Sequence, residues 1–247
     1  QTNIITTKGY SYGLNSENVT ITLNDFDFTE LRLNLLYSYK EKFIKTRTGK
    51  LSLGTNYPLV FLNYIRGFDN LLGGDYQYNK YEIKIKQSYF IKNLGTSSFQ
   101  IVSGYIHGDL PYSNLYNGMG SYNRQFTIAI QNSFNTMRMN EFLSNRFAAL
   151  FLSHNFGKLL FSTKKFKPEI AIITNMYVGD LNNREKHFNI DFTTPEHGYF
   201  ESGLLIYKIL NLGFYGIGGG VYYRFGYYAF PAAKDNFAYK FTLTLNF

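Results

Sequence analysis

Histidines are the residues of this sequence best suited to catalysis or metal binding, and two of the four lie within four residues of a serine. Ser103 and His107 are four residues apart, which on a strand places them on one face but about 13 Å from each other, too far for a nucleophile to contact its base. Ser153 and His154 are adjacent, so on a strand they point to opposite faces. Zinc-protease, phosphate-loop and nucleophile-elbow motifs are absent. We therefore predict no catalytic residue, no metal site and no cofactor.

The other two histidines lie in a polar stretch from Gly179 to His197. A metal site or an acid–base pair within this stretch is one alternative, because carboxylates occur beside both histidines. We instead interpret it as a solvated loop on the cell surface, because bacterial barrels keep their long loops outside. The residues assigned to this loop are Asp180, Arg184, Lys186, His187 and His197.

The composition favours strands and gives no sign of nucleic-acid binding. The 247 residues include 23 Tyr and 24 Phe but no Cys and no Trp, and aromatic residues favour strands and membrane interfaces. No stretch approaches about 18 consecutive apolar residues, the length that a transmembrane helix needs. The net charge of +8 is spread along the chain, so we predict no nucleic-acid partner.

Alternation of apolar and polar residues predicts strands along most of the chain. In the clearest case, Ile83 and Ile85 lie on one face and Lys84 and Lys86 on the other. Many predicted strands exceed the roughly 5–6 residues usual in soluble proteins and suit a tilted bilayer crossing of about 9–11 residues. The predicted strands are 2–12, 17–26, 29–41, 50–66, 76–91, 97–108, 123–136, 144–157, 167–178, 198–209, 212–226 and 236–247.

The sequence therefore predicts an all-β fold, an antiparallel transmembrane β-barrel of about 12 strands, within a range of about 10 to 14. A soluble β-sandwich also alternates, but its strands would be shorter. Two Asn-Leu-Gly turns, at 93–95 and 211–213, should share the periplasmic side, yet this strand count places them on opposite sides. One strand between residues 109 and 143 must therefore be misassigned.

The last predicted strand carries a signal of its own, because it is amphipathic and ends in Phe. It resembles the recognition signal of outer-membrane barrels, and in a barrel it would close against the first strand and leave no edge. Its apolar face consists of Tyr239, Phe241, Leu243, Leu245 and Phe247.

Basic residues recur on the strand faces that we assign to the barrel lumen. They would bias an open pore towards anions, or they would pair with acidic residues and fill a narrow barrel. We favour a filled barrel, because about 8 strands make a packed barrel and about 16 make a channel. A further segment, 145–156, is apolar on both faces, which predicts a contact inside the barrel or with a neighbouring protein. The lumen-facing basic residues are Arg32, Lys40, Lys80, Lys84, Lys86, Arg224 and Lys240.

Several runs of residues resemble the barrel of a Bacteroidota-type outer-membrane family, the carboxypeptidase-like regulatory-domain proteins with a domain of unknown function. The similarity covers roughly residues 54 to 247. It implies a longer protein with periplasmic β-sandwich modules ahead of a larger barrel, and it implies no peptidase activity. Residues 1–247 would then be a single barrel domain from the C-terminal part of that protein. The similar runs are Gly54–Pro58, Leu62–Tyr64, Leu72–Tyr76, Asn140–Phe147, Leu150–Phe156 and Gly198–Gly203.

A second similarity is confined to Ile65-Arg66-Gly67-Phe68. This tetrapeptide resembles the Arg-Gly-aromatic motif of the outer-membrane insertase superfamily, in which the Arg lies on a loop folded into the lumen. The alternative is the end of a strand that turns at Gly67.

The function that we predict is a non-catalytic outer-membrane barrel, an anchor or subunit of an envelope assembly or transport system. Its partners would be outer-membrane lipid, lipopolysaccharide and other envelope proteins. The first alternative is a passive channel with a mild preference for anions. The second is an outer-membrane hydrolase, which needs catalytic side chains that converge at the rim.

Overall fold

The computed structural model describes residues 11–16, 19–23, 25–47, 49–122, 128–163 and 166–245. Over these ranges the chain is all-β, with three short 3-10 helices and no α-helix, and none of its helices is long and apolar enough to cross a membrane. In chain order the strands are β1 (Ser11–Ser16), β2 (Val19–Leu23), β3 (Thr29–Ser38), β4 (Lys42–Thr46), β5 (Gly49–Gly54), β6 (Leu59–Phe68), β7 (Tyr78–Ile91), β8 (Gly95–His107), β9 (Gly120–Tyr122), β10 (Phe134–Arg138), β11 (Arg146–Asn155), β12 (Glu169–Asp180), β13 (His187–Phe188), β14 (Tyr199–Asn211), β15 (Tyr215–Phe225) and β16 (Phe237–Leu245).

Nine of these strands form one antiparallel sheet in the order β3, β6, β7, β8, β11, β12, β14, β15 and β16. Each strand pairs with its neighbour in this order. The edge strands β3 and β16 do not pair with each other, so the described sheet is open. The expected closed barrel of about 12 strands is thus not present in these residues, although the antiparallel all-β fold is.

The predicted strand 123–136 is the misassigned one, because the described part of it does not belong to the nine-stranded sheet. Of the predicted strand 123–136, residues 123–127 lie outside the described ranges, and β10 pairs in parallel with β9 and not with the nine-stranded sheet. β8 instead pairs directly with β11. With that strand removed, the turns at 93–95 and 211–213 lie at the same end of the sheet, as short hairpin turns require.

The prediction of a single strand at 50–66 was wrong, because a turn interrupts this segment. The predicted strand 50–66 is two strands, β5 and β6, interrupted around Pro58, whose ring fixes φ and removes a backbone donor. β5 forms a hairpin with β4, and β1 forms a separate small sheet with β2 and β13.

The sheet has two faces of different chemistry. On the outer face, the cross-strand register gives one row across eight strands without a polar residue: Tyr37, Val60, Ile85, Ile101, Leu150, Met176, Phe200 and Phe225. Among the described strands of this sheet, the outer face carries charge only at Arg66, Arg146 and Asp180, all near one end. The opposite, inner face carries most of the charged and polar residues of the strands.

Residues 108–122 and 128–145, here called the inner segment, pack against the inner face. Phe134 lies 5.0 Å from the ring of Phe151 and 5.4 Å from that of Tyr199, measured between centroids. Phe147 and Phe151 are both buried, which accounts for the segment 145–156 that is apolar on both faces. One of its faces contacts the inner segment, and the other belongs to the outer face.

Candidate functional site

Glu201 on β14 is completely buried and holds the inner segment to the sheet. Its carboxylate accepts hydrogen bonds from the backbone N–H groups of Asn135 and Thr136, each at 2.9 Å. The Thr136 hydroxyl donates to it at 2.6 Å and the Asn175 amide at 2.8 Å. Hydrogen bonds to a charged acceptor are roughly twice as strong as neutral ones, so this carboxylate is a structural anchor whose oxygens are already occupied.

Arg224 on β15 provides a second anchor beside the first. Its guanidinium donates to the Glu141 carboxylate at 2.7 Å and is only 3% exposed. The same guanidinium lies 4.5 Å from the ring centre of Phe230 and 4.7 Å from that of Tyr199. Glu141 also accepts from the backbone N–H of Arg138 at 2.8 Å, so the pair fixes the turn that follows β10.

A third set of polar contacts holds the start of the inner segment. The Asn114 amide donates to the Tyr78 hydroxyl at 2.8 Å, and that hydroxyl donates to Glu30. Lys80 donates to the Asn114 carbonyl at 3.2 Å, and its ammonium lies 4.3 Å from the ring centre of Tyr116. The inner segment is therefore tied to strands near both edges of the sheet.

The basic residues that the sequence assigns to the lumen have acidic, carbonyl or aromatic partners. Arg32 pairs with Glu30. The ammonium groups of Lys84 and Lys86 lie 4.8 and 5.0 Å from the ring centre of Phe61, and that of Lys240 lies 5.7 Å from Tyr122. Lys40 is not on a strand face, because β3 ends at Ser38 and Lys40 has a φ of 48° in the following turn.

The polar stretch at 179–197 begins with the last two residues of β12, so Asp180 lies on a strand, and it continues from residue 181 as a loop at the end of the sheet opposite to the Asn-Leu-Gly turns. Arg184 forms ion pairs with Asp180 and Glu196, and Asp180 also pairs with Arg146. Lys186 pairs with Asp109 in the inner segment. These ion pairs join the loop to the sheet and to the inner segment.

The two histidines of this loop lie in different surroundings. The ring of His187 lies 5.2 Å from Tyr12 and 5.7 Å from Phe192, and burial lowers the pKa of His187 to about 4. His197 is exposed and its ring lies 4.0 Å from that of Tyr227. No cluster of three or more potential metal-binding side chains occurs in the described ranges.

One serine–histidine contact was not predicted from the sequence. Ser97 on β8 is the cross-strand partner of His154 on β11, and its hydroxyl lies 2.7 Å from Nδ1 of the imidazole. Only the strand register reveals this pair, because 57 residues separate the two side chains. The other ring nitrogen lies 3.1 Å from the Leu94 carbonyl, where a catalytic triad would require a carboxylate. Ser103 instead donates to the Phe147 carbonyl at 2.9 Å.

The tetrapeptide from Ile65 to Phe68 lies at the end of β6 and not on a loop along the inner face. Arg66 donates to the Asn79 side chain at 2.9 Å on the neighbouring strand. The alternative interpretation of the sequence, a strand end, describes this segment, but β6 continues past Gly67 to Phe68 instead of turning at Gly67.

The C-terminal strand β16 forms an edge of the sheet, with the side chains of Tyr239, Phe241, Leu243 and Leu245 exposed. Its free side is partly covered, because the backbone N–H of Ala129 donates to the Phe241 carbonyl at 2.8 Å. Phe247 lies outside the described residues.

Fold and site together define an all-β protein in which one face of a meandering antiparallel sheet is filled by the protein's own chain. Residues 3–184 match the C-terminal domain of a family of unknown function, DUF5686. Because this match covers well over half of the chain, the protein belongs to that family. No curated protein and no solved structure matches the chain.

Proposed function

We propose that the nine-stranded sheet is part of the wall of an integral outer-membrane β-barrel, and that the protein is a non-catalytic anchor or subunit of an envelope assembly or transport system. The observation that carries this proposal is the chemistry of the outer face. Leu33, Ile172 and Leu243 are each about half exposed there, with no charge between the two rims. Apolar patches of this extent are rare on soluble proteins, whereas lipid requires them.

Strand length supports the same proposal. β7 has 14 residues, β8 and β14 have 13 each, and β12 has 12. A tilted strand needs about 9–11 residues to cross the hydrocarbon layer. Arg66, Arg146 and Asp180 lie at or near the ends of their strands, which in the proposed barrel is the level of the lipid headgroups.

The edges at β3 and β16 support a sheet that either continues into further strands or closes into a barrel. A strand edge in lipid leaves backbone groups unpaired, each at a free-energy cost of several kcal/mol. In the proposed barrel, each edge therefore pairs with a further strand.

The anchored inner segment favours a filled barrel over an open channel. Glu201 and Arg224 bind it through buried, charged hydrogen bonds. One observation favours a channel instead. The inner face around Lys84 and Lys86 is basic, and the ammonium groups of these residues contact a ring and not a carboxylate.

Membrane fractionation and bilayer recording of the full-length protein test this proposal. We expect it in the outer-membrane fraction, with electrophoretic mobility that changes on heating and without steady conductance in planar bilayers. Recovery in the soluble periplasmic fraction would refute the barrel. Steady, anion-selective conductance would refute the filled barrel and favour the channel.

A further inference from the structure

A cavity of about 430 Å³ lies between the inner face of the sheet and the inner segment, towards the end with the Asn-Leu-Gly turns. This volume falls within the range of small-molecule sites, about 300–1,000 Å³. Asn135 and Asn175, two partners of the Glu201 carboxylate, form part of its lining, and the rest of the lining extends away from these anchoring contacts.

The polar lining of this cavity is almost entirely uncharged. Ser88, Ser98 and Ser153 are cross-strand neighbours on three successive strands and form a row of hydroxyl groups. Gln100 is buried in the adjacent row. Among the described residues of the lining, Lys86 alone is charged, and its ammonium already lies over Phe61.

Two polar residues on this side of the cavity, Ser133 and Glu201, do not present a charged group to it. Ser133 is 92% buried, lines the cavity, and has a hydroxyl group without a hydrogen-bond partner. Glu201 does not line the cavity, and none of the described residues of the lining is acidic.

Aromatic rings complete the lining. Phe151, Tyr207 and Tyr222 each contribute to the wall. The Tyr222 ring lies across Gly203, where a Cβ atom would come within 2.6 Å of it. The glycine therefore allows the ring to lie flat against the sheet.

We propose that this cavity binds a free, neutral mono- or disaccharide. Sugar hydroxyl groups both donate and accept hydrogen bonds, as do the serine hydroxyls and the glutamine amide of the wall. The C–H faces of a sugar ring pack against apolar aromatic surface. Phosphorylated and carboxylated ligands would need more than one cation, and a purely apolar ligand would leave the hydroxyl row unpaired. The site is separate from the barrel function proposed above, and its failure would leave that proposal standing.

Calorimetric titration of the full-length protein, purified in a detergent without a sugar headgroup, tests the site. The probes are maltose and N,N′-diacetylchitobiose, with inorganic phosphate as the charged probe. We expect saturable binding of at least one disaccharide, with a Kd of about 1 mM or tighter. No saturable binding of either disaccharide, or equal binding of phosphate, would overturn the proposal.

Two cavity variants and one control locate the binding. Gln100→Leu keeps the volume and removes the amide, and we expect it to weaken binding about tenfold. Ser153→Phe fills the cavity and should abolish binding. Ser103→Ala lies on the same strand as Gln100 but on the outer face, and it should leave the affinity unchanged. Unchanged affinity in a correctly folded Gln100→Leu protein would place the sugar elsewhere and overturn the proposal, even if Ser153→Phe does not fold.

Discussion

Glu201 and Arg224 occupy facing positions on β14 and β15, yet each binds a different stretch of the inner segment. Glu201 holds the backbone of Asn135 and Thr136, whereas Arg224 holds the side chain of Glu141. One cross-strand pair thus fastens the segment at two points, on either side of Met137.

Replacing Glu201 with Ala should loosen the inner segment. The backbone N–H groups of Asn135 and Thr136 would lose their acceptor, at about 1–3 kcal/mol each. We expect a lower guanidinium midpoint and faster tryptic cleavage after Arg138. Glu169→Gln is the control, because its ion pair with Lys208 is partly exposed and such pairs contribute about 0–1 kcal/mol. Equal effects of the two substitutions would contradict the anchoring role.

Replacing Arg224 with Met should lower the free energy of unfolding by about 3–5 kcal/mol, because Glu141 is left without its buried partner. The double variant Arg224→Met/Glu141→Gln should recover part of this loss, since no carboxylate is then left unpaired. Arg32→Met, which breaks an exposed pair, serves as the control. Additive losses in the double variant would show that the two residues are not coupled.

On β7, Ile83→Lys should impair folding far more than Lys84→Ile. Ile83 faces outwards and a Lys near the bilayer midplane costs about 2–4 kcal/mol, whereas Lys84 faces inwards over Phe61. The yield of heat-modifiable protein in the outer-membrane fraction measures the difference. Comparable yields for these adjacent substitutions would place neither face in lipid.

The loop at 181–198 should loosen in acid. The pKa of His187 is about 4, below its ordinary value of 6.5, because burial disfavours the charged ring. The neutral ring therefore stabilises the loop fully above pH 6.5, and this contribution is lost as the pH falls from 6.5 towards 4. Hydrogen exchange of the loop, corrected for the intrinsic pH effect, should rise over this interval.

His187→Gln should remove this pH dependence, because Gln does not titrate. Asp109, Glu185 and Lys186 act on the same ring, and their charges remain in this variant. The control His197→Gln changes an exposed ring of the same loop and should leave the dependence intact. A His187→Gln protein that still loosens between pH 6.5 and 4 would assign the effect to the carboxylates.

Strands with strict alternation could be predicted from the sequence to within a few residues. The predicted 76–91 is Tyr78–Ile91 and the predicted 29–41 is Thr29–Ser38. In a half-buried strand, successive side chains point to opposite faces, so apolar and polar residues alternate along the sequence. The two Asn-Leu-Gly turns were informative as well. Because both should lie at the same end of the sheet, they showed that the predicted strands between residues 109 and 143 were one too many.

The partners of Glu201 and Arg224 could not be predicted in the same way. Alternation places these two side chains on the inner face, but it does not show which segment fills that face. Asn135 is 66 residues from Glu201, and Glu141 is 83 residues from Arg224. The residues around Phe134 alternate like a strand, and only the direct pairing of β8 with β11 excludes them from the sheet.

The same separations impose an order on assembly. The inner segment precedes β11 in the chain, but two of its buried anchors, Glu201 and Arg224, lie on β14 and β15, which follow it. Phe134, Met137 and Phe142 therefore stay without their final partners until most of the sheet has paired. Contacts between residues so distant in sequence form slowly, because a long loop must close first. Until β14 and β15 pair, the apolar stretch around Phe134 therefore lacks part of its cover, including the ring of Tyr199.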